Sequence, residues 1–340
     1  MGPVHRYHLS PEMDQWLSYA LLTGYPNESI APSLVELGIP EASAVSYLEE
    51  LRCSPLFSVG QDFAKKLSQT RWLLELQKSV QENAHVGHVV PRLKATESKR
   101  FFNDFLGANR PVILEGLLEE WPAKKRWTQE LLTERLGDER IQYTRYFVKN
   151  NRHEPEKLDS TFAEFLSLVY DEDYREPIYW TAYNQGEEGS PLVQGLLEDI
   201  VFPAHFCEPN EDLKTFFWIG PEGTRSGLHF DPHNVLFSQV KGRKRFLLYP
   251  PQDIPKAYLE NDYFSQVDAE APDLERFPQF AEAEALSVEV GPGETLFLPV
   301  GWLHQVRSLS TSISVSITCL SLPNGESNRY KPPSEFQGIL

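Results

Sequence analysis

The stretch Gly227-Leu228-His229-Phe230-Asp231, then Val235-Leu236-Phe237-Ser238-Gln239-Val240 and, past Lys241-Gly242-Arg243, Lys244-Arg245-Phe246-Leu247-Leu248-Tyr249, decides how this chain is read. Each run is short, rich in β-branched or aromatic residues and bounded by turn formers, the pattern of strands. Side chains at i and i+2 of a strand share a face, so His229 and Asp231 are expected to hold one metal ion together. Gly227 and Pro232 bracket the pair. A third donor is expected from His304: the turn Gly291-Pro292-Gly293 feeds the apolar strand Thr295-Leu296-Phe297-Leu298, expected to end at the histidine in Gly301-Trp302-Leu303-His304.

Two imidazoles and one carboxylate on one face, with open positions opposite, form the facial triad of non-haem Fe(II) oxygenases. A lone His-x-Asp arises often by chance, so the weight rests on the three donors together. His233 is expected to stay outside the ligand set because Pro232 interrupts the strand, and His205 has a weak claim.

Such a centre needs a two-electron donor, and 2-oxoglutarate needs a cation for its distal carboxylate. Lys241 and Arg243 read as a solvated turn. Lys244 alternates with Phe246 and Leu248, so it begins a face expected to point inward, where an ammonium without an anion is costly. The turn is expected to carry Lys244 back alongside the metal-bearing strand.

Outward from this centre, Ile178–Thr181, Thr215–Ile219, Ser287–Val290 and Ser312–Leu320 also read as strands, giving a mainly β, double-sheet sandwich or barrel. Pro111–Leu114 is a further short strand, and 97–106, 128–136 and 161–169 read as flanking helices. Between Pro11 and about Glu82 the apolar residues recur at helical spacing, cut by Gly24-Tyr25-Pro26, Gly38-Ile39-Pro40 and Ser54-Pro55 into several short helices. The expected division is a helical region over 1–90, a β-rich domain over 91–322 and an irregular tail over 323–340.

The chain has 340 residues, 32 Lys+Arg and 49 Asp+Glu, and its formal charge of -17 disfavours broad contact with nucleic-acid phosphates. Cys53, Cys207 and Cys319 are scattered without CxxC spacing, so neither a disulfide framework nor a zinc ribbon is indicated. No apolar run reaches membrane-spanning length and the N-terminus lacks a signal-peptide pattern, so a cytoplasmic protein is expected.

The segment Asn109-Arg110-Pro111-Val112-Ile113-Leu114-Glu115-Gly116, with Trp121-Pro122-Ala123 and Trp127, resembles the entry to the catalytic domain of the JmjC and cupin-like Fe(II)/2-oxoglutarate dioxygenases, and Leu298-Pro299-Val300-Gly301-Trp302-Leu303-His304 resembles their distal-histidine motif. The resemblance covers roughly 90–322. Within the family, Ser265-Gln266-Val267-Asp268, Pro272-Asp273 and Glu275-Arg276-Phe277-Pro278 are similar to the insert of the hydroxylase branch that includes the asparaginyl hydroxylase of hypoxia-inducible factor.

The resemblance implies a double-stranded β-helix, or jelly roll, with iron on His229, Asp231 and His304. It also implies 2-oxoglutarate held by Lys244, Tyr179, Ser226 and Asn234, with dioxygen as the other cosubstrate. The implied reaction hydroxylates a C–H bond and releases succinate and carbon dioxide. Where the asparaginyl enzyme carries an Arg-Gln pair that reads the target amide, this chain has Tyr263-Phe264, and Thr318 and Leu320 replace its asparagine and tryptophan. Amide recognition is therefore not carried over, nor is an oligomeric state. A protein or peptide substrate is the leading expectation. N-methyl-lysine or arginine demethylation, a free amino acid, metabolite or tRNA base as substrate, and a non-catalytic metal-binding cupin stay open beside it.

Overall fold

The computed structural model describes residues 7, 9–83, 89–149, 152–174, 176–183, 190–206, 214–260 and 263–318. The expected tail over 323–340 and Leu320 lie outside them. The chain divides into two compact units, 1–86 and 87–340.

In the first unit Ser10 caps α1 (Pro11–Leu22) by accepting from the Met13 amide, and Pro11 sits at the helix start, where its missing N–H leaves no bond unmade. Next come α2 (Asn27–Glu36), α3 (Glu41–Arg52) and α4 (Pro55–Asn83). At 29 residues, α4 is longer than the short helices expected. Inside it the one strong helix disfavourer is Gly60, which costs only about 1 kcal/mol relative to alanine. Leu17, Leu21, Ile30, Leu34, Ala44 and Leu48 make this unit's core.

The second unit is built on β1 (Arg92–Lys94), β2 (Val112–Glu115), β3 (Arg140–Lys149), β4 (Arg152–Thr161), β5 (Ile178–Tyr183), β6 (Thr215–Gly220), β7 (Arg225–His229), β8 (Val235–Lys241), β9 (Lys244–Tyr249), β10 (Leu286–Val290), β11 (Glu294–Leu298), β12 (Leu303–Ser308) and β13 (Ser312–Ile317). One sheet has the order β1-β2-β11-β8-β13-β6-β5-β3-β4 and the other β10-β9-β12-β7. The pairs β6/β7, β8/β9, β10/β11 and β12/β13 each cross from one sheet to the other, which is the double-stranded β-helix. Val235, Phe237, Phe246, Leu248, Leu296 and Val306 from both sheets pack inside it. A second core, with Trp127, Phe165, Trp180 and Phe217, lies between the larger sheet and the helices that flank it.

Three expectations change. The turn Lys241-Gly242-Arg243 joins strands of different sheets and is not a hairpin, so β9 lies two places from β7 with β12 between them. Gly242 permits that crossing: its φ is +71°, and a Cβ there would sit 2.1 Å from the Thr311 carbonyl oxygen. The β3–β4 hairpin was not foreseen, because β4 is polar and contains Pro155; such a strand is tolerated at a sheet edge, where β4 lies. Finally, 97–106 is one α-turn over Ser98–Arg100 followed by π-helical Phe101–Leu106.

The register sets the polarity of the barrel. The crossings at 221–224, 241–243, 291–293 and 309–311 gather at one end; the links 230–234 and 299–302 and the insert 250–285 gather at the other. The insert is strapped to the outer face of the smaller sheet. Asp268 accepts from Arg225 at 3.2 Å and from Gln305 at 2.6 Å, while Glu270 binds Arg245 and Arg307.

Candidate metal centre

At the insert end, antiparallel pairing of β7 with β12 sets His229 directly opposite His304. β7 ends at His229, so Asp231 lies just beyond the strand, and His304 is the second residue of β12 and not the end of the apolar strand, which stops at Leu298. A turn containing Gly301, at φ +80°, separates the two strands. It is tied back to the carboxylate-bearing residue by the Gly301 amide, which donates to the Asp231 carbonyl at 3.1 Å. One ligand atom from each of His229, Asp231 and His304 lies within 4.8 Å of the others, and among the described residues this is the one such cluster. His233 and His205 stand outside it.

The donor atoms are oriented for a cation. Nδ1 of His229 donates to the Gly227 carbonyl at 2.7 Å and Nδ1 of His304 to the Trp302 carbonyl at 3.0 Å, which leaves each Nε2 as a lone-pair donor. Although part of His229 meets solvent, burial of the ring and then the neighbouring His304 lower its pKa to about 4, so it is a neutral imidazole near pH 7. His304 Nε2 lies 3.7 Å from Asp231 Oδ2. The chemistry of this set fits a divalent transition metal with open positions.

Deeper in the barrel the pairing lays out rows on one inner face: Leu248, His304 and His229; then Phe246, Val306 and Ser226; then Lys244 and Ser308. Ser226 and His229 are three residues apart, a spacing that in a regular strand sends side chains to opposite faces. A register shift between His304 and Val306 inserts one extra β7 residue, and this bulge returns Ser226 to the face of His229. Lys244 is two rows from the histidines, roughly 13 Å along the strand.

Lys244 is 1% exposed, and Nζ donates to the Tyr179 hydroxyl at 2.9 Å. Its Nζ also lies 5.2 Å and 5.3 Å from the ring centroids of Tyr179 and Phe237. Among the described residues no carboxylate pairs with it. Burial alone pushes its pKa down to about 7, and burial likewise raises that of the Tyr179 phenol. A buried ammonium held by one hydroxyl and two ring faces fits a small anion. Asn234 is engaged differently: its Oδ1 accepts from the Val300 amide at 2.9 Å, bracing the turn that leads to His304.

Two further residues were quoted in the sequence but given no role at the metal centre. Asn109, at φ +50°, accepts the Trp302 indole N–H on its carbonyl at 2.9 Å and donates its side-chain amide to the Val300 carbonyl at 3.3 Å, fixing the same turn. Phe264 stacks on His229, with centroids 4.9 Å apart and planes 10° from parallel.

A family model described as a cupin-like domain matches residues 98–318, which include β2 to β13 and all seven expected site residues. The chain belongs to the cupin-like family. This cupin-like protein is 34% identical over 236 residues to "Lysine-specific demethylase 8" of Xenopus tropicalis, an alignment covering 67% of this chain and 52% of that one. It is 28% identical over 247 residues to "Jumonji C domain-containing protein 5" of Drosophila melanogaster, covering 67% and 59%. With "tRNA wybutosine-synthesizing protein 5" of Gallus gallus it shares 27% over 250 residues, covering 69% and 78%. The chain thus spans little more than half the length of the first two relatives. Among the described residues no helix is long and apolar enough to cross a membrane.

Proposed function

We propose that this protein is an Fe(II)- and 2-oxoglutarate-dependent dioxygenase that hydroxylates an unactivated C–H bond of a protein or peptide side chain and releases succinate and carbon dioxide. The observation that carries the reading is the pairing, on one inner face, of a three-donor cation site with a buried ammonium two rows away. A metal-binding structural cupin has no use for Lys244 at that depth, because burying a charge without an anion is unfavourable.

Bound iron and 2-oxoglutarate would supply the oxidising chemistry. His229, Asp231 and His304 would hold the metal, with both imidazoles locked by backbone carbonyls. Lys244 and the Tyr179 hydroxyl would bind the distal carboxylate, Ser226 would add a hydrogen bond from the intervening row, and Asn234 would act through the turn it braces. The buried Phe237, Phe246 and Val306 would keep water from the space between the rows. The hydroxylase branch rests on the insert motif Ser265-Gln266-Val267-Asp268. A second reading is oxidative N-demethylation of a lysine or arginine, of which the lysine form is favoured by the printed name of the Xenopus relative.

The test is incubation of the full chain with Fe(II), ascorbate, 2-oxoglutarate and a host peptide pool, followed by mass spectrometry against Asp231→Ala. Succinate together with peptides heavier by one oxygen atom, both absent with the variant, is the expected outcome. Formaldehyde in place of stable oxygen gain selects the second reading, and no succinate beyond that of the variant overturns both.

A further inference from the structure

Phe264 stands in the insert where it meets the metal centre. The Phe230 amide donates to the Tyr263 carbonyl at 3.2 Å and the Ser265 amide to the Leu228 carbonyl at 2.9 Å. Those two bonds flank the bridge between His229 and Phe264, making them a non-hydrogen-bonded antiparallel pair, the kind whose side chains approach most closely. His229 is therefore enclosed on two sides: the near-parallel, stacked Phe264 ring at 4.9 Å and the His304 ring at 4.2 Å. The Gly227 carbonyl pins its edge at 2.7 Å. Tyr263 goes the other way, its ring meeting Phe230 edge-on at 5.5 Å. Of the two residues, only Phe264 faces the ligands.

Phe264 is also 48% exposed, the one exposed aromatic among the residues of 87–340 whose side chains the structure describes. Its segment is held by the Asp268 and Glu270 strap on the smaller sheet, so the ring is held in place although half of it meets water.

We infer that Phe264 is a positioning residue that sets the plane of the His229 imidazole, and that its exposed surface receives an apolar part of the substrate beside the reacting carbon. This rests on reading the site as a metal centre. It deepens that reading by giving the substrate class: a side chain whose reacting carbon is flanked by hydrocarbon, because the exposed ring offers apolar contact area and no strong donor or acceptor.

The test uses the full chain loaded with Co(II), with no turnover required. Phe264→Ala is expected to weaken Co(II) binding about tenfold by calorimetry and to alter the visible d–d absorption, because a group that orients a ligand histidine is worth that much in metal affinity. Phe264→Tyr, which keeps the ring, is expected to restore both. An alanine variant with unchanged affinity and spectrum overturns the positioning role, and so does a tyrosine variant that fails to restore them. For the substrate face, the probes are N-acetyl-leucinamide and N-acetyl-asparaginamide, followed by paramagnetic broadening of their proton resonances. The protein is expected to favour the leucine probe about threefold, and Phe264→Ala to lose that preference. Equal broadening of both probes, or a preference that survives in Phe264→Ala, overturns the substrate assignment. If Co(II) binding depends on Phe264 but no 2-oxoglutarate is ever consumed, the proposed activity fails and the positioning role stands.

Discussion

The two ends of the inner face at the centre of this barrel are electrostatic opposites. At the insert end two imidazoles and a carboxylate bring one ligand atom each within 4.8 Å of the others, with Asp231 38% exposed at its side chain. Two rows deeper, Lys244 is an ammonium almost sealed from water and held by a phenol. The first end gathers donors that would suit a cation and the second an amine whose charged form would suit an anion. The contrast teaches that the two ends suit ligand groups of opposite sign, and that neither half explains the other's burial alone.

Removing a donor at the insert end should break the comparison most severely. Asp231→Ala is expected to lower metal affinity by more than about 100-fold and to take turnover to background, measured by calorimetry and succinate release. Retention of either would sink the cation half. At the deep end Lys244→Met is expected to act in two directions. Binding of 2-oxoglutarate should weaken about 10- to 100-fold, as for loss of a charge-assisted bond. The protein without 2-oxoglutarate should gain roughly 1–4 kcal/mol in denaturant unfolding, because an unpaired buried charge is replaced by a hydrophobe. A destabilised variant would show that the ammonium is already satisfied.

Proton linkage sharpens the same contrast. Lys244 has its pKa lowered from 10.5 to about 7 in the folded chain, so the folded state binds fewer protons than the unfolded state between those values. Stability without 2-oxoglutarate should therefore rise with pH across that window. Because the anion requires the charged form, 2-oxoglutarate affinity should be flat below pH 7 and fall by up to about tenfold per pH unit above it, with proton uptake visible as a buffer-dependent binding enthalpy. A pH-independent affinity would remove Lys244 from the anion site. The smallest effect is reserved for Ser226, between the two ends: Ser226→Ala is expected to weaken 2-oxoglutarate about fivefold, the value of one neutral hydrogen bond, with metal affinity unchanged.

Much of the second unit was legible because its strands obey local rules. Lys244, Phe246 and Leu248 alternate with Arg245 and Leu247, and the structure buries the first set while leaving the second partly exposed. The long α4 and the β3–β4 hairpin were less legible, since Gly60 and Pro155 are weak evidence in isolation and their neighbours decide whether they are tolerated. Phe264 was noticed as a departure from a related insert, yet nothing local says that its ring lies on a histidine 35 positions earlier in the chain.

By itself the sequence determined the mainly β character of the second unit and the helical character of the first, and it singled out His229, Asp231 and His304, which the structure gathers, because periodicity and side-chain chemistry are properties of short stretches. Tertiary structure alone decided three other matters: that the 241–243 turn crosses between sheets, that a bulge brings Ser226 onto the face of His229, and that Phe264 stacks on His229. Each depends on strand register, and register is fixed by which distant strands pair and not by the residues of any one of them.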